Sequence, residues 1–215
     1  MTIKVNYRKF TKHAEKVAKG KHLSARPILQ GIHHDEDGNL TVTDSHRLYY
    51  AKNVNAPRDV TLHAVTGEEL DLGTYPDATR IIPDISSARD TLTIPDAKQA
   101  VAVLKAMQAA GVASGIKKDE VRLDITPGEH ASSLSLCSEA VTFEYEVTSA
   151  TRSTEARPCL SVAYMLEAID MMADLGATSL DVHLYSSERP IFITVTGDKD
   201  ASLSAVILPI RRSYH

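Results

Sequence analysis

Two short polar segments contain residue types found in catalytic and metal-binding sites. Asp44-Ser45-His46 has the three groups of a hydrolytic triad, in which a histidine activates the serine hydroxyl and a carboxylate orients the histidine. Neighbouring residues of a strand point to opposite faces, so this triplet does not converge into such a relay. The chain also lacks the G-x-S-x-G motif of a nucleophile elbow. Hydrolytic chemistry is therefore not predicted.

The segment His33-His34-Asp35-Glu36-Asp37 contains histidine and carboxylate side chains, which are ordinary zinc ligands. Adjacent histidines on a strand diverge, and no second ligand cluster is evident, so a solvated hairpin is the preferred interpretation. The chain has no P-loop and no dinucleotide-binding glycine motif. We therefore expect no metal, no cofactor and no enzymatic activity; an enzyme of unknown type has no residue constellation in its favour.

The composition is that of a soluble globular protein. Of 215 residues, 43% are hydrophobic and 24% charged, which suffices for one large or two small domains with real cores. No apolar run could span a bilayer, and the amino terminus has no apolar secretory core, so we expect a cytoplasmic protein without membrane contact. Cys137 and Cys159 are the only cysteines and are most simply buried thiols, with a disulfide the less expected alternative.

The charge of the chain is unevenly distributed. Residues 1–22 carry seven basic groups against one acid, whereas the remaining residues carry 17 basic and 27 acidic groups. An acidic body with one concentrated basic element predicts a local contact with a polyanion. With no Trp and only 5% aromatic residues, a stacking surface for single-stranded nucleic acid is not expected.

The basic element is predicted to be an amphipathic helix over residues 6–19, with Asn6 as its N-cap and Gly20 as its stop. Further helices are predicted over residues 96–110 and 161–174. Apolar residues at helical spacing predict the buried stripe of the first helix: Tyr7, Phe10, Ala14 and Val17.

Runs of strands are predicted between the helices, and Asp37-Gly38 is a strong hairpin signal. Residues 75–87 form a Pro-punctuated connector. The pattern of helix followed by strands occurs three times and predicts an α+β fold. The predicted strands are residues 27–34, 39–50, 59–64, 68–73, 91–94, 120–126, 132–137, 140–148, 179–186, 190–196 and 202–210.

Four segments, in this order, resemble stretches of the bacterial DNA polymerase III beta sliding clamp. They are Arg-Pro-Ile-Leu-Gln-Gly at 26–31, Thr-Asp-Ser-His-Arg-Leu at 43–48, Tyr-Pro-Asp-Ala-Thr-Arg-Ile-Ile-Pro at 75–83 and Ala-Val-Ile-Leu-Pro-Ile-Arg at 205–211. Residues 159–168 and 189–193 also resemble a helix and the following strand of the clamp's last domain.

The resemblance implies a DNA-clamp-like fold in which helices cover one face and sheets form the other. Residues 1–88 would be a reduced domain similar to the middle domain of the clamp, with its second half largely missing. Residues 89–215 would be one complete domain similar to the last domain. The first domain of the bacterial clamp has no counterpart in this reading.

In that family, polymerases and repair factors dock a short peptide containing Gln and Leu or Phe at the junction of the last two domains. The apolar members of the matching set would form a shallow patch with polar edges, which is the usual form of a peptide groove. The matching positions are Leu29, Thr43, Ser45, His46, Arg47, Leu48, Pro76, Arg80, Ile81, Val206, Leu208, Pro209, Ile210 and Arg211.

The resemblance also makes the basic helix a DNA-facing helix, whose cations would contact phosphates of duplex DNA without reading sequence. The expected contacts are Arg8, Lys9, Lys12, Lys16 and Lys19. The implied partners are duplex DNA, a DNA polymerase or other clamp-motif proteins and a clamp loader, and a closed twelve-helix ring would need four copies of the chain. The alternative is an adaptor or decoy that keeps the peptide pocket without encircling DNA.

Overall fold

A computed structural model describes residues 3–54, 58–128, 131–151 and 156–211. Within these ranges the chain forms three α-helices: α1 (Tyr7–Ala18), α2 (Ala97–Ala113) and α3 (Val162–Asp174). The strands in the same ranges are β1 (Gly31–His34), β2 (Leu40–Thr43), β3 (Arg47–Ala51), β4 (Val60–His63), β5 (Asp90–Ile94), β6 (Arg122–Thr126), β7 (Ala131–Leu136), β8 (Glu144–Thr151), β9 (Cys159–Ser161), β10 (Leu180–Leu184), β11 (Ile191–Val195) and β12 (Leu203–Ile207).

The strands form one antiparallel sheet in the order β4-β1-β2-β3-β12-β11-β10-β5-β8-β7-β6-β9. β3 and β12 join the two predicted domains, with Leu48 opposite Val206. The hydrogen bonding is therefore continuous across residue 88, and the division there stays a prediction. The strand order is symmetric about the β3–β12 pair. β4 pairs with β1 within residues 1–88, in the position that β5 holds beside β10 within residues 89–215.

The two faces of the sheet are covered by different parts of the chain. Tyr49 and Ala205 belong to the main core, to which all three helices contribute. Leu48 and Val206, their neighbours along the same strands, point the other way into a second cluster with Phe192. Successive side chains of a strand alternate between faces, and this alternation separates the two cores. The predicted α+β fold, with helices on one face of the sheet, is confirmed.

Each helix begins at the kind of residue the sequence predicts. Asn6 accepts a hydrogen bond from the Lys9 amide at 3.0 Å, and Asp96 and Ser161 cap α2 and α3 in the same way. Such a side chain satisfies an amide that has no carbonyl within the helix, which typically contributes about 1 kcal/mol. The predicted bounds of α1 and α3 agree with the structure to within a residue or so, whereas α2 continues three residues further, to Ala113.

Several strand predictions were wrong. The predicted strand 39–50 is divided by a turn at residues 44–46, and residues 27–30 of the predicted strand 27–34 form a 3-10 turn. Residues 68–73 are not a strand; a single bridge joins Glu69 to Leu62. β9 was not predicted because three residues are too few to show a periodicity. In the part of the chain that the structure describes, no helix is long and apolar enough to cross a membrane.

Candidate functional site

The turn between β2 and β3 is held by its own side chains. The Thr43 hydroxyl donates to the Arg47 carbonyl at 2.7 Å and accepts from the Ser45 amide at 3.1 Å. Asp44 Oδ1 accepts from the amides of His46 and Arg47 at 2.9 and 3.0 Å. Ser45 has a φ of 73°, in the left-handed region that a non-glycine residue enters only with such local support. The former triad candidate is thus a structural turn, with its carboxylate bound to backbone.

Tyr75 fixes the start of the connector against this turn. Its hydroxyl accepts a hydrogen bond from the Thr43 amide at 3.2 Å, and its ring stacks on that of His33 with centroids 5.0 Å apart. The ring is buried with Leu23 and Leu29, and this burial raises the pKa of the Tyr75 hydroxyl. The connector next to Pro76 is therefore anchored at a defined position.

The rest of the connector packs on the outer face of the sheet. Ala78 and Ile82 contact the cluster that contains Leu48 and Val206. The end of β12 closes the other side, because the Leu208 amide donates to the His46 carbonyl at 2.9 Å. Three segments that are distant in sequence therefore converge: the β2–β3 turn, the connector and the chain after β12.

A cavity of about 600 Å³ lies between these segments. Its surface is mostly apolar, with Arg26 and Asp77 among its few polar groups. The Thr79 hydroxyl and then the Arg80 guanidinium hold the pKa of the Asp77 carboxyl below its usual range. Six of the predicted peptide-site residues line the cavity: Leu29, Thr43, Ser45, Pro76, Ile81 and Leu208.

The other predicted residues lie outside this lining. Leu48 and Val206 are fully buried in the cluster behind Ala78. Arg80 is exposed and paired with Asp77 at 2.8 Å. The remaining members are not among the lining residues: His46, Arg47, Pro209, Ile210 and Arg211.

Arg47 points toward the helices, away from the cavity. Its Nε donates to Asp44 Oδ2 at 3.0 Å, and its Nη1 pairs with the Glu167 carboxylate of α3. The guanidinium lies 4.5 Å from the ring centroid of Tyr164, a cation–π distance. The Arg47 side chain is only 6% exposed, so it ties the β2–β3 turn to α3 and is placed to support the cavity rather than to meet a ligand.

Five lining residues were absent from the predicted set: Arg26, Ile28, Asp77, Ala78 and Pro190. Four of them fall within the segments that carried the resemblance, at 26–31 and 75–83. These two segments contain 3-10 turns, Pro27–Gln30 and Ala78–Ile81. A 3-10 turn distributes consecutive side chains around its axis and so brings residues beside the predicted ones to the same surface. Pro190, which precedes β11, falls within the segment 189–193, which also resembles the clamp.

The basic face of α1 is partly neutralised by α3. Lys9 Nζ lies 3.2 Å from Asp174 Oδ1, and Lys16 Nζ lies 3.4 Å from Asp170 Oδ2. Lys19 pairs with Glu15 of its own helix at 2.9 Å. Among the five predicted DNA contacts, Arg8 and Lys12 are exposed and make no ion pair within the described residues.

His13 lies at the centre of this helix contact. Its Nε2 is 3.2 Å from Asp174 Oδ2 and its Nδ1 is 3.9 Å from Asp170 Oδ2, while the side chain is only 4% exposed. Burial lowers the pKa of His13 despite the nearby carboxylates, so a neutral imidazole accompanies the charged pairs on either side.

The two adjacent histidines of β1 diverge, as the sequence predicts. His34 is buried and bonds to the Tyr7 hydroxyl of α1 at 3.2 Å, whereas His33 stacks on Tyr75.

The continuous sheet with helices on one face is the fold of bacterial DNA sliding clamps. The Bacillus subtilis DNA polymerase sliding clamp matches with a TM-score of 0.71 and 19% identity over 99% of this chain and 65% of its own. The beta subunit of Streptococcus pyogenes DNA polymerase matches with a TM-score of 0.71 and 17% identity, over 99% of this chain and 68% of its own. The Caulobacter crescentus beta sliding clamp matches with a TM-score of 0.73 and 16% identity, over 98% of this chain and 65% of its own.

The predicted resemblance to the DNA polymerase III beta sliding clamp is thereby confirmed in fold. The chain spans about two thirds of the length of these clamps. No protein-family model and no curated protein sequence matches it.

Proposed function

We propose that this chain is a non-enzymatic, clamp-like DNA-replication protein. It binds a short peptide of a polymerase or repair factor in the cavity beside the β2–β3 turn and contacts duplex DNA through α1. The observation that carries the proposal is the cavity itself. Four segments chosen from sequence as a peptide site come together around one apolar recess of about 600 Å³.

The chemistry of the cavity suits a short apolar peptide with one or two polar groups. Ile28, Leu29, Ile81 and Leu208 offer aliphatic surface to a Leu or Phe side chain. Burying one such side chain contributes about 1.5–3 kcal/mol, so two of them could support a modest affinity. Arg26 and Asp77 are placed to interact with polar groups of the peptide at the edge of the recess.

The second part of the proposal is sequence-independent binding of duplex DNA by the cations of α1. Arg8 and Lys12 are the primary phosphate contacts, because Lys9 and Lys16 are shared with the carboxylates of α3. Since phosphate contacts release counterions, the affinity should fall steeply with salt and vary little with sequence. Encircling DNA would require several chains in a closed ring, and loading such a ring would require a clamp loader.

The peptide site is tested by fluorescence polarisation with a labelled short peptide that contains Gln, Leu and Phe. Ile81→Asp places a carboxylate in the recess and should weaken binding about 10- to 150-fold, the equivalent of one lost apolar anchor. Ile81 is 41% exposed, so the substitution leaves the fold intact.

The matched control is Val112→Asp, which alters a β-branched residue of similar exposure, 45%, on α2. It should bind the peptide like the unmodified chain. Unchanged binding by Ile81→Asp, or equal losses in both variants, would show that the peptide does not use this cavity.

A further inference from the structure

Both cysteines of the chain come together with one carboxylate on three neighbouring strands. Cys159 lies on β9, Asp124 on β6 and Cys137 directly after β7. The two sulfur atoms and a carboxylate oxygen of Asp124 all lie within 4.8 Å of one another. The cysteines are 22 positions apart in sequence, so their spacing did not predict this convergence.

The strand register places the three side chains on one face of the sheet. Asp124 is directly opposite Cys159 across the β6–β9 ladder. Cys137 continues the β6–β7 ladder opposite Arg122, to whose carbonyl its amide donates at 3.0 Å. Arg122 and Asp124 are two residues apart and so point the same way, as do directly opposed residues of an antiparallel pair.

The same register separates the two cysteines too far for a relaxed disulfide. They lie on opposite sides of β6 and two residues apart along it, so their Cα atoms are at least two strand spacings apart, more than about 9 Å. A disulfide needs Cα atoms less than about 7 Å apart. Their thiols instead lean toward each other over the strand that carries Asp124.

We propose that Asp124, Cys137 and Cys159 bind a thiolate-preferring divalent metal ion of the zinc class. Two thiolates and a carboxylate are a donor set that zinc accepts, at about 2.3 Å for sulfur and 2.0–2.2 Å for oxygen. Donors of a tetrahedral site at those distances are about 3.3–3.8 Å apart. The three ligand atoms therefore need to approach one another by at most about 1.0–1.5 Å, a movement within the reach of small side-chain rotations.

The surroundings favour three protein ligands and one open position. Cys159 is buried, whereas Cys137 and Asp124 are half-buried and give the site a path to solvent. No fourth His, Cys, Asp or Glu joins the group within the described ranges. A water molecule would complete the coordination.

Metal binding would fasten the edge of the sheet. The ion would connect β6, β7 and β9, and the Cys159 carbonyl already accepts from the Ile210 amide at 2.8 Å. Because unfolding separates the three ligands, an ion that binds the folded chain raises its unfolding midpoint.

The test is a titration of the reduced full-length chain with Co²⁺, followed by displacement with Zn²⁺. We expect one equivalent of Co²⁺ to produce thiolate-to-metal charge-transfer absorption, which Zn²⁺ abolishes, and a rise in melting temperature with either ion. Cys137→Ser changes a half-buried residue at a strand end, so the variant should keep the fold. Loss of a residue that only orients a metal ligand typically weakens metal binding roughly 10- to 100-fold, and loss of this ligand should weaken it more than that. Cys159→Ser and Asp124→Asn should weaken binding in the same direction.

His33→Gln is the control, because it removes a histidine of β1 outside the site and should leave the titration unchanged. The proposal fails if no stoichiometric binding occurs, or if binding survives in the Cys137→Ser/Cys159→Ser variant. It also fails if a mild disulfide oxidant joins Cys137 to Cys159, since the register forbids that bond. None of these three results bears on peptide docking or DNA binding.

Discussion

Neutralising the carboxylates that α3 places against α1 should strengthen DNA binding and increase its salt dependence. Asp170 and Asp174 lie within 3.4 Å of Lys16 and Lys9, the two cations that they withhold from phosphates. Each phosphate contact adds about 0.9 to the slope of log affinity against log salt. The Asp170→Asn/Asp174→Asn variant removes the carboxylates that pair with two lysines, so the slope should be steeper by about 1.8. Over a fourfold increase in salt this difference amounts to about a 12-fold larger loss of affinity.

The assay is fluorescence anisotropy of a labelled duplex over about 50 to 200 mM salt. The fold should tolerate the change, because exposed ion pairs contribute at most about 1 kcal/mol each. Asp77→Asn/Asp84→Asn is the matched control, since it removes two exposed carboxylates from the connector on the opposite face of the sheet. An unchanged slope in the α3 variant, or the same change in the control, would refute a DNA contact at α1.

Three further outcomes are expected. Arg47→Met should lower the free energy of unfolding by about 3–5 kcal/mol, because it removes the buried guanidinium that pairs with the Asp44 carboxylate. A loss below about 1 kcal/mol in urea unfolding would contradict that role. Burial, and then Arg58, lowers the pKa of His34 to about 4 from its ordinary value of 6.5. As the pH falls, His34 is therefore protonated at a higher pH in the unfolded chain than in the folded chain. The free energy of unfolding should then fall by about 3 kcal/mol from pH 7 to pH 4. An equal loss in a His34→Gln variant would show that other groups are responsible. Light scattering at moderate salt should give a closed-ring multiple of the 23.4 kDa chain, and salt-resistant retention on circular but not linear DNA should accompany it; a monomer at micromolar concentration would remove unaided encirclement.

The helices could be predicted from sequence because their signals are local. Asn6, Asp96 and Ser161 each precede an apolar pattern of helical period, and each caps a helix in the structure. At these positions the apolar pattern and the capping residue both favour the helix that tertiary packing stabilises, so local sequence suffices to predict it.

The turn at residues 44–46 could not be predicted in the same way. Ser45 adopts a positive φ without a glycine, and the hydrogen bonds that stabilise it come from Thr43 and Asp44. Strand-forming residues on both sides, such as Val42 and Tyr49, conceal such a turn. Its recognition would have required treating Asp44 as a turn-forming side chain rather than as a strand residue.

The candidate site was accessible from sequence only in part. The segments were identified by their order, but which side chains share the cavity depends on strand alternation and on the connector's 3-10 turns, Ala78–Ile81 and Ile85–Ser87. Arg47 and Leu48 are adjacent, yet one contacts α3 and the other lies beneath the connector. The pairing of Lys9 and Lys16 with α3 joins residues more than 150 positions apart, and no local pattern reports such a contact.

The most direct test of the account is methyl NMR of the full-length chain, labelled at Ile, Leu and Val, during titration with the clamp-motif peptide. The methyl signals of Ile28, Leu29, Ile81 and Leu208 should shift together and saturate with one affinity, while those of Val65 and Val112 should stay unchanged. Shifts confined to another surface, or no shifts at millimolar peptide, would contradict the assignment of this cavity as a peptide-docking site.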